Sequence, residues 1–108
     1  MRRVFSTSEN LGTLRSKGEK WELMAEAASD YDEAEGILNI SLDAYLRPEQ
    51  GPVGEPFRPE WLPAAQVQRE HVQLGETIPL AKEVFQNWVR RIRKAAPIDI
   101  HPHQGSGL

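Results

Sequence analysis

Five prolines recur between Arg47 and Pro63, at Pro48, Pro52, Pro56, Pro59 and Pro63, with Gly51 and Gly54 among them. Each proline fixes φ, removes a backbone donor and opposes helix, so this stretch reads as extended. Regular structure is therefore expected in two pieces, joined by an extended connector at 47–63. A connector this long in a small chain either packs onto the domain or serves in binding. Phe57, Trp61 and Leu62 lie inside it and favour docking over free disorder. With 108 residues, the chain is expected to form one domain, 1–108, with a flexible tail at 102–108 rich in glycine and serine.

The piece before the connector reads as a helix and then a strand. Ser6-x-x-Glu9 and Ser16-x-x-Glu19 both fit a capping box, in which a serine side chain and a glutamate three residues on satisfy free helical N–H groups. After the second box, Trp21, Met24, Ala25 and Ala28 fall on one helical face, and Glu19, Glu22 and Glu26 on the other. This predicts a helix ending near Asp30. The period then changes. Leu38, Ile40, Leu42 and Ala44 alternate with Asn39, Ser41 and Asp43, which predicts a strand with one buried face.

Beyond the connector, residues 65–74 fit an interrupted strand through Val67, Val72 and Leu74, or a helix opened by Pro63 and closed by Gly75; the strand is the reading adopted. From Thr77 to Ala96, Ala81, Val84, Phe85, Trp88, Ile92 and Ala95 form one stripe roughly 100° wide, the mark of an amphipathic helix. Pro79 is tolerated in its first turn, and Pro97 ends it. Ile98-Asp99-Ile100 is expected as a short last strand. The fold class inferred is α+β: two amphipathic helices packed on one face of a small, mostly antiparallel sheet.

The net charge of −3 conceals two poles. Residues 18–49 hold Glu19, Glu22, Glu26, Asp30, Asp32, Glu33, Glu35, Asp43 and Glu49 against Lys20 and Arg47, a net −7. Residues 80–97 hold Lys82, Arg90, Arg91, Arg93 and Lys94 against Glu83, a net +4. The cations crowd the last helical turns, where they complement the negative end of the helix dipole. On a helical wheel Arg90, Arg93 and Lys94 point away from the apolar stripe, toward solvent or a partner. The layout suits internal pairing, association with a charged partner or a second copy, or simple solubilisation.

The sequence leans against an enzyme. There is no cysteine, hence no thiolate nucleophile and no Cys-ligated metal. Gly-rich phosphate loops, G-x-S-x-G and H-E-x-x-H are also missing. The stretch from Asp30 to Gly36 resembles a calcium loop only superficially. The fifth, sixth and twelfth positions of an EF-hand would be Ala34, Glu35 and Ser41. Asp99, His101 and His103 are candidate metal ligands, since at i, i+2 and i+4 of an extended chain they face one way, with His71 as a fourth. No cofactor is expected.

Met1-Arg2-Arg3-Val4-Phe5 begins like a signal peptide, but Ser6 to Asn10 interrupts it before any apolar core. A cytoplasmic location and no membrane partner are expected. The leading reading is a small non-catalytic intracellular interaction protein: an accessory subunit, adaptor or regulator. It would bind another protein, or a second copy, through its charged poles and its Pro/aromatic connector. Arg90, Arg93 and Lys94 are the expected charged contacts, and Phe57 and Trp61 the apolar anchors if exposed. The alternative is a nucleic-acid-binding module using the basic end of the last helix. A metal-dependent enzyme is the third reading.

Overall fold

A computed structural model of the chain describes residues 1–16, 18–49 and 56–97. In chain order it runs β1 (Arg2–Ser16), β2 (Glu19–Asp32), β3 (Ile37–Pro48), β4 (Gln66–His71), a single 3-10 turn (Leu74–Glu76) and α1 (Thr77–Ala95). The strands form one antiparallel sheet in the order β1-β2-β3-β4. The helix packs across β1, β2 and β3 on one face of that sheet. The other face of the sheet carries no element among the described residues.

One expectation is overturned. The fold is not two helices on a sheet: a single helix, entered through the 3-10 turn, packs against four antiparallel strands. The segment expected as the first helix, Glu19 onward, is the second strand of the sheet. Its composition of Ala, Glu, Met and Leu does favour helix. It also carries a second periodicity, because Trp21, Leu23, Ala25, Ala27, Ser29 and Tyr31 are all buried on one face. Both neighbours pair with it along almost its whole length, from Trp21↔Pro48 to Asp32↔Ile37 on one side and from Ser16↔Glu19 to Arg2↔Tyr31 on the other. Backbone pairing on two sides, together with burial of that face, outweighs a local preference that amounts to tenths of a kcal/mol per residue.

The alternation expected in β3 holds. Leu38, Ile40, Leu42, Ala44 and Leu46 are buried beneath α1. So does the strand reading of 65–74, over Gln66–His71. The last helix also matches, with Ala81, Val84, Phe85, Trp88 and Ile92 buried. Val89 joins that stripe, while Ala95 is exposed. The expected final strand at 98–100 and the tail at 102–108 lie outside the described residues.

Two glycines shape the strands. Gly36, at φ +67°, closes the β2–β3 hairpin in a conformation that L-residues disfavour. The Asp32 carboxylate caps the same turn by accepting the N–H groups of Ala34 (3.1 Å) and Glu35 (3.2 Å). Asp32 thereby serves the hairpin turn. Gly12, at φ +143°, sits at a register shift in β1, where its N–H donates to Asn10 Oδ1 at 2.9 Å. A second shift falls between Arg3 and Phe5. Such bulges insert an extra residue and reset which face the next side chain takes. This is how Leu11 and Leu14, three residues apart, both reach the core.

The core between helix and sheet contains one polar anomaly. Ser29 is fully buried on β2, and its Oγ has no hydrogen-bond partner among the described residues. A buried hydroxyl without a partner carries its full desolvation penalty. Ser29→Ala is therefore expected to stabilise the chain by about 1 kcal/mol, read as a higher midpoint in urea denaturation with an unchanged slope.

Candidate functional site

Exposed chemistry gathers on two surfaces, the open face of the sheet and the outer face of α1. On the open face the acids of β2 and β3 meet cations from neighbouring strands. Arg3 Nε donates to Asp30 at 2.7 Å, and Arg47 Nε to Glu22 at 2.9 Å. Asn10 Nδ2 also donates to Glu22, at 2.8 Å. The Tyr45 hydroxyl donates to Glu26 at 2.6 Å. The hydrogen bond to Asp30, with its charge, raises the pKa of Arg3. Burial first, and then the bond to Glu26, pushes the Tyr45 phenol up to about 12.

The acid-rich stretch thus finds its close ion-pair partners on the sheet and in the connector. The link from the basic helix end to an acid is long: Arg93 lies 4.0 Å from Glu9 on β1. The charged residues are polarised by layer, with paired acids on the sheet and cations along the last turns of the helix.

Between these ladders the open face has a shallow hollow of about 740 Å³. Ser6, Ser8, Ala28, Ser41 and Val67 line it, with Glu26 and Asp43 at its rim. Small side chains at matching register positions on four strands leave this depression. Both acids at the rim are already engaged, by Tyr45 and by Arg58. Among the described residues no group of three or more His, Cys, Asp or Glu is placed to hold a metal ion. No catalytic machinery based on a metal or a cysteine is found among them.

Asp43 is a structural hub that sequence reasoning did not single out. Pairing of β3 with β4 stops at Leu42↔Gln66, and a lone bridge follows at Leu46↔Phe57. Between them the Ala44 N–H donates to Asp43 Oδ1 at 2.8 Å. Arg58 Nη2, from the connector, donates to both Asp43 oxygens at 2.9 and 2.8 Å. Trp88 Nε1 donates to the Asp43 carbonyl at 3.0 Å, which ties α1 to the same residue. The alternation of β3 placed Asp43 on the polar face. Nothing local signalled a partner fifteen residues on.

The expected anchors of the connector lie against the domain. Phe57 exchanges two 2.8 Å backbone hydrogen bonds with Leu46, and its ring centroid is 5.6 Å from that of Trp21. Phe57 and Trp61 are both half-buried and pack on the core, and Leu62 is part of it. Arg90, Arg93 and Lys94 are exposed. Arg90 donates to Asn87 Oδ1 on its own helix. Arg91 lies over the Trp88 ring, 5.6 Å from its centroid, and donates to Gln66 Oε1 at 3.0 Å. His71 is exposed at the end of β4. Asp99, His101 and His103 lie outside the described residues, and so does the question of a site built from them.

No helix among the described residues is long and apolar enough to cross a membrane. Comparisons of the chain with family models, with curated proteins and with solved structures find no match.

Asp43→Ala leaves the buried Ala44 N–H without its acceptor and releases Arg58. It is expected to cost about 2 kcal/mol, against less than about 1 for Arg58→Ala, which removes only an exposed ion pair. Urea denaturation of the two variants checks this order. Tyr45 supplies a pH signature. Its folded pKa lies above the unfolded value, so its contribution is complete below pH ~10 and disappears as pH rises toward about 12. Stability is expected to fall less steeply over that window in Tyr45→Phe than in the parent, as followed by alkaline unfolding.

Proposed function

We propose that this chain is a small non-catalytic interaction protein of the cytoplasm, an accessory subunit, adaptor or regulator. It binds an acidic surface of another protein through the basic last turns of α1. The observation that carries this reading is the contrast between two sets of charges. Asp30, Glu22 and Asp43 each have an ion-pair partner within 3 Å on the sheet or connector. Arg90 and Lys94 have no carboxylate partner among the described residues, and Arg93 has only the distant Glu9. Unpaired, exposed charges of one sign on a rigid helix steer encounter and select partners more than they stabilise a fold. Phe57, against Trp21 and Leu46, and Trp61, packed on the core, are both half-buried and leave a partner only part of each ring.

The same cations favour nucleic acid as a second reading. That reading lacks the aromatic platform on which bases stack, because Trp88 is only 2% exposed beneath Arg91. A salt titration against three probes separates the readings: a polyglutamate peptide, a generic single-stranded RNA and a generic duplex DNA. The expected result is binding of polyglutamate that is lost in the variant Arg90→Glu, Arg93→Glu, Lys94→Glu, with little affinity for either nucleic acid. Tighter binding to RNA or DNA, falling steeply with salt and abolished in the same variant, would transfer the assignment to nucleic acid. No binding to any probe at low salt would sink both.

A further inference from the structure

The sheet has two edges, and they differ. β1 is long but broken by register shifts at Arg3/Phe5 and Asn10/Gly12. Bulges of this kind twist an edge and obstruct pairing with another strand. β4 has neither a register shift nor a proline in its six residues. Among the described residues no strand pairs with its outer side. The helix packs mainly over β1 to β3, so the helix-side face of β4 is only partly covered, with Gln66 exposed and Gln68 and Glu70 half-buried. A four-stranded sheet is roughly 15 Å across from first to last strand, wider than one helix of about 10 Å covers.

A groove therefore runs between β4 and α1, and its charge is polarised along its length. At one end lie Glu76 and Glu83, beside His71. Glu70 projects from β4 on the same side of the sheet, where it accepts from Gln68 Nε2 at 2.8 Å. At the other end Arg91 reaches from the helix to Gln66.

We propose that two copies of this chain associate through β4, antiparallel about a two-fold axis through Gln68, to make one continuous eight-stranded sheet. The axis stands normal to the sheet, so both helices lie on the same side. Gln68 faces Gln68 of the second copy, Val67 faces Arg69, and Gln66 faces Glu70. Arg91, already at Gln66, thereby meets Glu70 of the second copy, and the contact occurs twice. The acidic end of each groove lies against the basic end of the other. A shift of two residues in one direction would set Arg69 opposite Arg69, and like charges directly opposite are destabilising. A shift in the other direction leaves a shorter ladder. Main-chain hydrogen bonds supply the attraction, and the charges select this register. The dimer does not depend on the acidic-partner reading above, because Arg93 lies on the β1 side of the helix, against Glu9.

The test is the mass in solution of the full chain and four variants, by light scattering and sedimentation at about 0.1 mM, where small interfaces become populated. The parent is expected above the monomer mass of 12.2 kDa, approaching twice that value as concentration rises. Arg91→Glu sets like charges against Glu70 and is expected to be monomeric, as is Glu70→Lys against Arg91. An equimolar mixture of these two is expected to dimerise, because both contacts then join opposite charges; this also shows that each variant is folded. The double variant Glu70→Lys, Arg91→Glu is expected to dimerise alone. Arg93→Glu should dimerise like the parent even where it weakens polyglutamate binding. A parent that stays monomeric at this concentration, a dimer that survives either single exchange, or a mixture that fails to restore it would overturn the proposal.

Discussion

The pairing of β2 with β3 is the constraint on which the rest of the fold depends. Twelve residue pairs run without a register shift from Trp21↔Pro48 to Asp32↔Ile37. The hairpin is set by a turn whose two requirements are met by Gly36 and Asp32. A slip of one residue would turn Leu23, Ala25 and Ala27, or their partners on β3, to the open face. With register set, one face becomes apolar except at Ser29, and that face is what α1 covers with Ala81, Val84, Phe85, Trp88 and Ile92. The polar set of each strand falls on the other face, where Glu22 meets Arg47 and Glu26 meets Tyr45. Helix docking and charge pairing are thus both consequences of one ladder.

The described part of the proline-rich connector, 56–63, is held by three kinds of contact. Phe57 adds a short bridge to β3 and sets its ring tilted against Trp21, Leu62 enters the core, and Arg58 binds Asp43. Proline has no N–H to give to a ladder, so side chains supply much of what holds such a segment. Asp43 collects the side-chain contacts on one strand position, with its carbonyl left for Trp88. The connector, β3 and the helix thus all make a contact at Asp43. The large aromatics go to closing the domain.

Polar economy also separates the two layers. Acids on the sheet are matched by arginines that lie close to them only in the folded chain. Cations on the helix lie beyond the reach of those acids, except at Glu9. An exposed charge without an internal partner contributes little to stability but a good deal to encounter and register. That difference supports reading the basic turns of α1 as a contact surface and the polarised groove beside β4 as a self-complementary one.

Local periodicity was enough for the two elements in which it is strong and uninterrupted, α1 and the alternating strand β3. It also placed Arg90, Arg93 and Lys94 on the outer face of the helix, because a period of 3.6 residues leaves no other place for them. Tertiary structure decided what is non-local. β2 satisfies two periodicities at once, and only strands on both sides select the one with period two. The strand β1 was hidden because its two bulges break the alternation that would have revealed it. The pairings of Asp43 with Arg58 and of Asp30 with Arg3 join residues 15 and 27 positions apart, and no local pattern encodes them. Local periodicity is written in neighbouring side chains, whereas pairing depends on which strands the folded chain brings together.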